Sequence, residues 1–191
     1  MSLFDNITTW IDDTWEKTCE VAKALPELGT IIHEETRNLG INITDAVCDH
    51  TGNYVKPLPG SVVICKLLGG LCEHSGIYVG NNEVVELNGN GKVVKLSTYD
   101  FLRGSGIRSG FSTYVACDCS GNVLASERVA FRALQQLHDA GDYSLLRNNC
   151  HHFTAACLLE DSFFNDVTLF TALEDVIRTK YGKSMIDWKR I

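Results

Sequence analysis

Tyr143-Ser-Leu-Leu-Arg-Asn-Asn-Cys150-His-His-Phe153-Thr-Ala-Ala-Cys-Leu-Leu159 is the stretch that decides how the rest of the chain is read. From Cys150 onward the residues favour a helix, and Phe153, Ala156, Cys157 and Leu158 recur at helical spacing to give it one apolar face. Asn148 and Asn149 are good N-cap residues, because an amide oxygen accepts from the free N–H groups of the first turn. Cys150 then stands in or beside that turn, where the helix dipole and unpaired N–H groups favour an anion. A thiolate so placed is a nucleophile. The plainer alternative is a small buried apolar residue, the usual fate of a free cysteine.

A thiolate nucleophile needs a base, which normally lies far away in sequence. Of six histidines, His74 has the most telling context: Cys72-Glu-His74-Ser-Gly-Ile77-Tyr-Val-Gly80, ending at Asn81-Asn82. Next come Glu83-Val-Val-Glu86-Leu87, the turn Asn88-Gly-Asn-Gly91, and Lys92-Val-Val-Lys-Leu96. Three short β-type runs separated by Gly/Asn turns predict an antiparallel meander. His74 falls at the start of its first strand and Glu86 near the end of its second. A carboxylate in reach of an imidazole fixes its tautomer and stabilises its cation, as the third member of a triad does.

Gly60-Ser-Val-Val, the His74 block, Val-Val-Glu-Leu and the Asn-Asn-Cys-His-His-Phe block together resemble the lecithin:retinol acyltransferase family, from about Pro57 to about Leu159 and in family order. The resemblance implies an α+β, circularly permuted papain-like (NlpC-like) fold, with an antiparallel sheet packed on the nucleophile helix. It implies Cys150 as acyl-accepting nucleophile and His74 as base. A second polar residue, often histidine in the family, follows twelve positions later; here it is Glu86, a departure from the His-His-Cys form. His152 matches the histidine inside the cysteine block and is read as a helix-packing residue. Several members carry a C-terminal membrane segment, which this sequence does not show.

The totals bound the class. The 191 residues fit one domain with room for extensions, and 45% apolar with 21% charged residues is ordinary for a folded protein. A formal net charge of -7 argues against nonspecific nucleic-acid binding or a polybasic anchor. Eight cysteines without a secretory signature predict reduced thiols and a cytoplasmic setting, although delivery as an effector would read alike. No segment approaches the roughly 20 apolar residues of a transmembrane helix.

The expected organisation is a helical N-terminal extension (1–56), a catalytic domain (57–160) and a helical C-terminal extension (161–191). Phe4, Ile7, Trp10, Ile11, Trp15, Val21 and Ala22 give the first stretch an amphipathic helix with an acidic polar face, fit for packing or for a protein partner rather than for a membrane. Further helices are expected at Glu27 to Leu39 and from Thr44 through Asp49. Ser61 to Leu68 reads as a buried strand, Arg103 to Gly110 as a glycine-bearing loop that fits no phosphate-binding fingerprint, and Phe111 to Ala116 as a strand. Ser126 caps a helix running to Ala140, and Leu169, Leu173, Val176 and Ile177 mark a C-terminal one. Cys117-Asp-Cys119 lacks the spacing of a recognised zinc finger, even with His138, Cys65 or Cys72 as partners, so neither metal nor cofactor is expected.

The expected enzyme acts on ester or amide acyl groups, most naturally of lipids, through Cys150, His74 and Glu86 and a thioester. Asn149 or Asn148 is a candidate oxyanion donor beside the cap. Two other readings stand against it. One is a thiol peptidase or amidase on a cell-wall or ubiquitin-like substrate; PPPDE-type isopeptidases share the cysteine block, but Glu83-Val-Val-Glu-Leu fits the acyltransferase pattern better. The other is a catalytically silent binding domain, favoured if His74 and Cys150 lie too far apart to interact.

Overall fold

The computed structural model describes residues 54–67, 72–104, 108–137, 149–159, 167 and 169–191, with backbone only at 72 and 109–111. The helices expected at 3–24, 27–39 and 44–49 lie outside the described residues. Six strands form one antiparallel sheet: β1 (Val62–Leu67), β2 (Cys72–Gly80), β3 (Glu83–Leu87), β4 (Val93–Ser97), β5 (Arg108–Cys117) and β6 (Asp187–Arg190), in the order β4-β3-β2-β1-β5-β6. Among the described residues four helices join it: α1 (Thr98–Arg103), α2 (Glu127–Gln135), α3 (Cys150–Leu159) and α4 (Phe170–Tyr181).

β1 is a near-continuous apolar run because it lies between β2 and β5 and is covered on both faces. Val62 joins a core with Ile77, Val85, Leu158, Leu173 and Ile177 under the helices; Val63 and Cys65 join Tyr78, Val84, Phe101 and Val115 in the other. The meander follows from its turns, with Asn81 and Asn82 both at positive φ (52° and 59°), which Asn tolerates better than most residues. At its second turn the Asn88 side chain accepts from the Asn90 and Lys92 N–H groups at 3.0 and 3.1 Å.

Four expectations need correction. The segment 103–110 is not a loop throughout, since β5 begins at Arg108. After Cys65↔Thr113 the β1–β5 register slips so that Leu67 meets Arg108, and such irregularities re-aim side chains. The C-terminal extension is not purely helical: after α4 ends at left-handed Gly182, β6 adds an edge strand to β5, pairing Tyr114 with Arg190 and Cys117 with Asp187. Ser126 stands at the N-cap of α2 but makes no side-chain cap bond, and α-helical geometry ends at Gln135, short of Ala140. Helix α3 is buried nearly all round rather than along one stripe, because β2, α2 and α4 all pack on it.

α1 was not expected. Ser97 caps it by accepting from the Asp100 N–H at 3.0 Å while its hydroxyl donates to the Asp100 carboxylate at 2.7 Å, a reciprocal arrangement close to a capping box. Its Phe101 is fully buried and forms one wall of the site.

Candidate active site

α3 begins where the sequence placed it. Asn149 Oδ1 accepts from the His151 and His152 N–H groups at 2.9 and 3.0 Å, and its carbonyl accepts from Phe153 N–H at 3.1 Å. Asn149 is therefore the N-cap, buried to 2% exposure, and Cys150 is the first helical residue. Asn148 lies outside the described residues. The helix's far end is held as well: Arg132 of α2 donates to the Cys157 and Leu158 carbonyls at 2.6 and 3.2 Å, a cation at the negative pole.

His74 is the third residue of β2 and Glu86 the fourth of β3. Continuing the register of Ile77↔Val85 and Tyr78↔Val84 puts Glu86 opposite Gly76, hence diagonal to His74 on the same face. The Nε2 of His74 lies 2.8 Å from Glu86 Oε2, and both side chains are buried. Gly76 keeps this corner open: a Cβ there would stand 2.9 Å from the Val85 carbonyl oxygen and 3.1 Å from the Phe101 ring. That ring packs against His74 with centroids 5.4 Å apart.

With Nε2–H given to Glu86, His74 has Nδ1 left for the sulfur. The charges of the two groups act on each other, the imidazolium favouring the thiolate and the thiolate the imidazolium. Burial pushes the Cys150 thiol up, but His74 and then His151 act against it and hold it well below the usual thiol range. Burial would lower His74, yet the Cys150 and Glu86 charges raise it to about 9. Glu86 is in turn pushed up by burial and pulled further down by His74 and Arg108, ending below the ordinary carboxylate range. The contrast with Cys65 and Cys157 is instructive. Burial pushes each of those thiols up to about 12, so burial alone makes an inert cysteine.

Sequence reasoning missed Arg108. Its Nη2 donates to Glu86 Oε1 at 2.7 Å and lies 3.3 Å from His74 Nε2, while Nη1 donates to the Phe101 carbonyl. Two donors thus converge on one carboxylate, one oxygen each. The only sequence-level hint is that a buried glutamate calls for a cation. Also missed were Ser75, His151 and Thr154, which form a chain beside the sulfur: Ser75 Oγ lies 2.9 Å from His151 Nδ1 and 3.0 Å from Thr154 Oγ1. The i, i+3 spacing of His151 and Thr154 put them on one helix face and was a usable signal.

His152 packs within α3 as expected, its Nδ1 3.2 Å from Asn149 Oδ1. Cys117 is buried at the end of β5 and Cys119 is exposed in the following turn; His138 lies outside the described residues. Among the described residues no three His, Cys, Asp or Glu side chains are placed to hold a metal ion, and no helix is long and apolar enough to cross a membrane.

A buried cysteine at a helix start, its thiol held below the usual range, an imidazole from the neighbouring sheet and a carboxylate behind that imidazole are an arrangement that thiol acyl-transfer chemistry can use. The lecithin retinol acyltransferase family model matches residues 56–163, more than half of the chain. The chain belongs to the lecithin retinol acyltransferase family. Family members are cysteine acyltransferases, which supports an enzyme of the acyltransferase or hydrolase kind. The match spans β1 to α3 and so includes His74, Glu86 and Cys150. No curated protein matches the chain.

Proposed function

We propose that this lecithin retinol acyltransferase family member transfers or hydrolyses acyl groups of lipid esters through Cys150, His74 and Glu86. The Cys150 thiolate attacks the ester carbonyl, and its electron pair forms the C–S bond while the carbonyl π pair moves to oxygen. Backbone N–H at the start of α3 faces that oxyanion, with Asn149 holding the turn; one such donor is worth about 3 kcal/mol in the transition state. The oxyanion collapses, the C–O bond breaks, and His74 imidazolium gives its Nδ1 proton to the leaving alcohol. His74, neutral again, takes a proton from water or an acceptor alcohol as it attacks the thioester. Thiolate and imidazolium are regenerated. Glu86 keeps the proton on Nε2 throughout, so that Nδ1 alone exchanges with the reaction.

The observation that supports this reading is the buried His74 ring, bonded to Glu86 at 2.8 Å, whose charge acts on the Cys150 thiol at the start of α3. The choice of a lipid acyl donor rests on the family. Incubating the full chain with a phospholipid panel and a peptide-amide panel tests both parts. Release of acyl groups from phospholipid and a Cys150-linked acyl thioester by mass spectrometry are expected, both lost in Cys150→Ala. Turnover of peptide amides alone would replace the reading with a peptidase, and turnover that survives Cys150→Ala would remove Cys150 from the mechanism.

A further inference from the structure

Beside Cys150 stands a second imidazole that the triad does not use. His151 is buried, its Nδ1 lies 3.9 Å from the Cys150 sulfur, and the same nitrogen lies 2.9 Å from Ser75 Oγ. Ser75 Oγ is 3.0 Å from Thr154 Oγ1, and Thr154 Oγ1 donates to the Cys150 carbonyl at 2.9 Å. Both hydroxyl residues have no solvent exposure, so every short contact here needs a hydrogen between its atoms.

Counting hydrogens fixes the direction of the chain. There are three contacts and only two hydroxyl hydrogens. The carbonyl can only accept, so Thr154 spends its hydrogen there. Ser75 must then donate to Thr154, because no other hydrogen lies between those oxygens. The remaining contact, His151 to Ser75, is left to a hydrogen on His151 Nδ1. His151 is therefore a donor at the nitrogen that also approaches the sulfur, and it cannot serve as a base through that atom.

We propose that the one hydrogen on His151 Nδ1, held on that nitrogen by the Ser75–Thr154–Cys150 carbonyl chain and donated to Ser75 Oγ, is shared with the Cys150 sulfur 3.9 Å away as the long arm of a three-centre hydrogen bond. The thiolate is then held between two imidazoles with different work: His74 exchanges protons with the reaction, whereas His151 keeps its Nδ1 proton and steadies the anion. Ser75 and Thr154 are positioning residues that act through His151. Among the described residues, the ionisable groups facing the sulfur are His74 from β2 and His151 from α3, with Cys65 of β1 in range of its charge. Glu73 of β2 faces His151, and Glu174 of α4 lies in range of Glu73.

This inference rests on Cys150 being the nucleophile, and its test is a titration of the sulfur rather than turnover. The full chain is alkylated with iodoacetamide across pH, and the Cys150 peptide is followed by mass spectrometry. A full hydrogen bond to a charged group corresponds to about one to two pH units, so the long arm of a shared one corresponds to a midpoint shift of about one. His151→Leu and Thr154→Val are each expected to raise the midpoint by that much, the second by freeing the Ser75 hydrogen for His151 Nδ1 without touching the sulfur. His151→Asn, whose amide N–H approximates the Nδ1 donor, is expected to stay nearer wild type. If His151→Leu does not fold, Thr154→Val decides the matter. Midpoints at the wild-type value in the folded variants overturn the proposal. Failure of the nucleophile assignment looks different, because turnover would then survive Cys150→Ala whatever the alkylation midpoints did.

Discussion

Arg108 and Glu86 form a buried ion pair with side-chain exposures of 7% and 3%, and His74 shares the same carboxylate. At such burial, removing one partner leaves a charge without its counter-charge and costs about 3–5 kcal/mol, whereas removing both leaves no charge stranded. Glu86→Gln strands the guanidinium with the Phe101 and Asp100 carbonyls as its remaining acceptors. It also turns an amide NH2 toward one of two donors, Arg108 Nη2 or His74 Nε2–H. Arg108→Met strands the carboxylate with His74 alone. The double variant Glu86→Gln/Arg108→Met should therefore lose less than the sum of the singles, by roughly 1.5–3 kcal/mol, measured by urea unfolding at pH 7. The sign with pH follows from Glu86. Its folded pKa lies below its unfolded value of about 4.3, so its stabilisation is present above that pH and is lost as pH falls further. The coupling should thus shrink when the cycle is repeated near pH 4. Single-variant losses that add to within about 0.5 kcal/mol at pH 7 would refute the argument, because independent sites add.

Two further outcomes test the same corner. His74 is raised to about 9, and in the proposed mechanism its imidazolium is the acid toward the leaving group, so acylation should fall as pH rises through about 9. Since the Glu86 charge is among the causes of that rise, Glu86→Gln should move this alkaline limb toward acid; a pH–rate profile with an unmoved limb would take Glu86 out of the site. Gly76→Ala should cost about 1–3 kcal/mol and slow Cys150 alkylation, because its Cβ would press on the Val84 methyl, the Val85 carbonyl and the Phe101 ring, all buried. A stable, fully reactive Gly76→Ala protein would show the corner to be looser than its distances say.

The parts of this fold that were legible in sequence are those set by local pattern. β1 to β4 follow from apolar runs cut by Asn/Gly turns, and the start of α3 follows from Asn149, whose short amide is made for a cap. The nearness of His74 to Glu86 was readable because a hairpin of fixed register brings strand neighbours together. Arg108 was not, since its position depends on a register slip between β1 and β5 and on charge balance in a place no local pattern marks. β6 escaped for a related reason: Asp187-Trp-Lys-Arg has no alternation of its own and becomes a strand by borrowing the open edge of β5. α1 is a different case, because Ser97-Thr-Tyr-Asp100 carries a legible start signal and was simply passed over. The all-round burial of α3 explains why its polar residues looked neutral in sequence. A helix in the core has no wet side against which to tell a working residue from a packing one.

The edge strand also has a consequence for how this protein is made. β5 emerges from the ribosome well before β6, and Tyr114 must wait for Arg190 before its outer hydrogen bonds are met. Until then a nascent chain carries a bare ribbon edge open to any other strand nearby, its own copies on a polysome included. Translation speed through the residues between β5 and β6 then sets how long that edge stays bare.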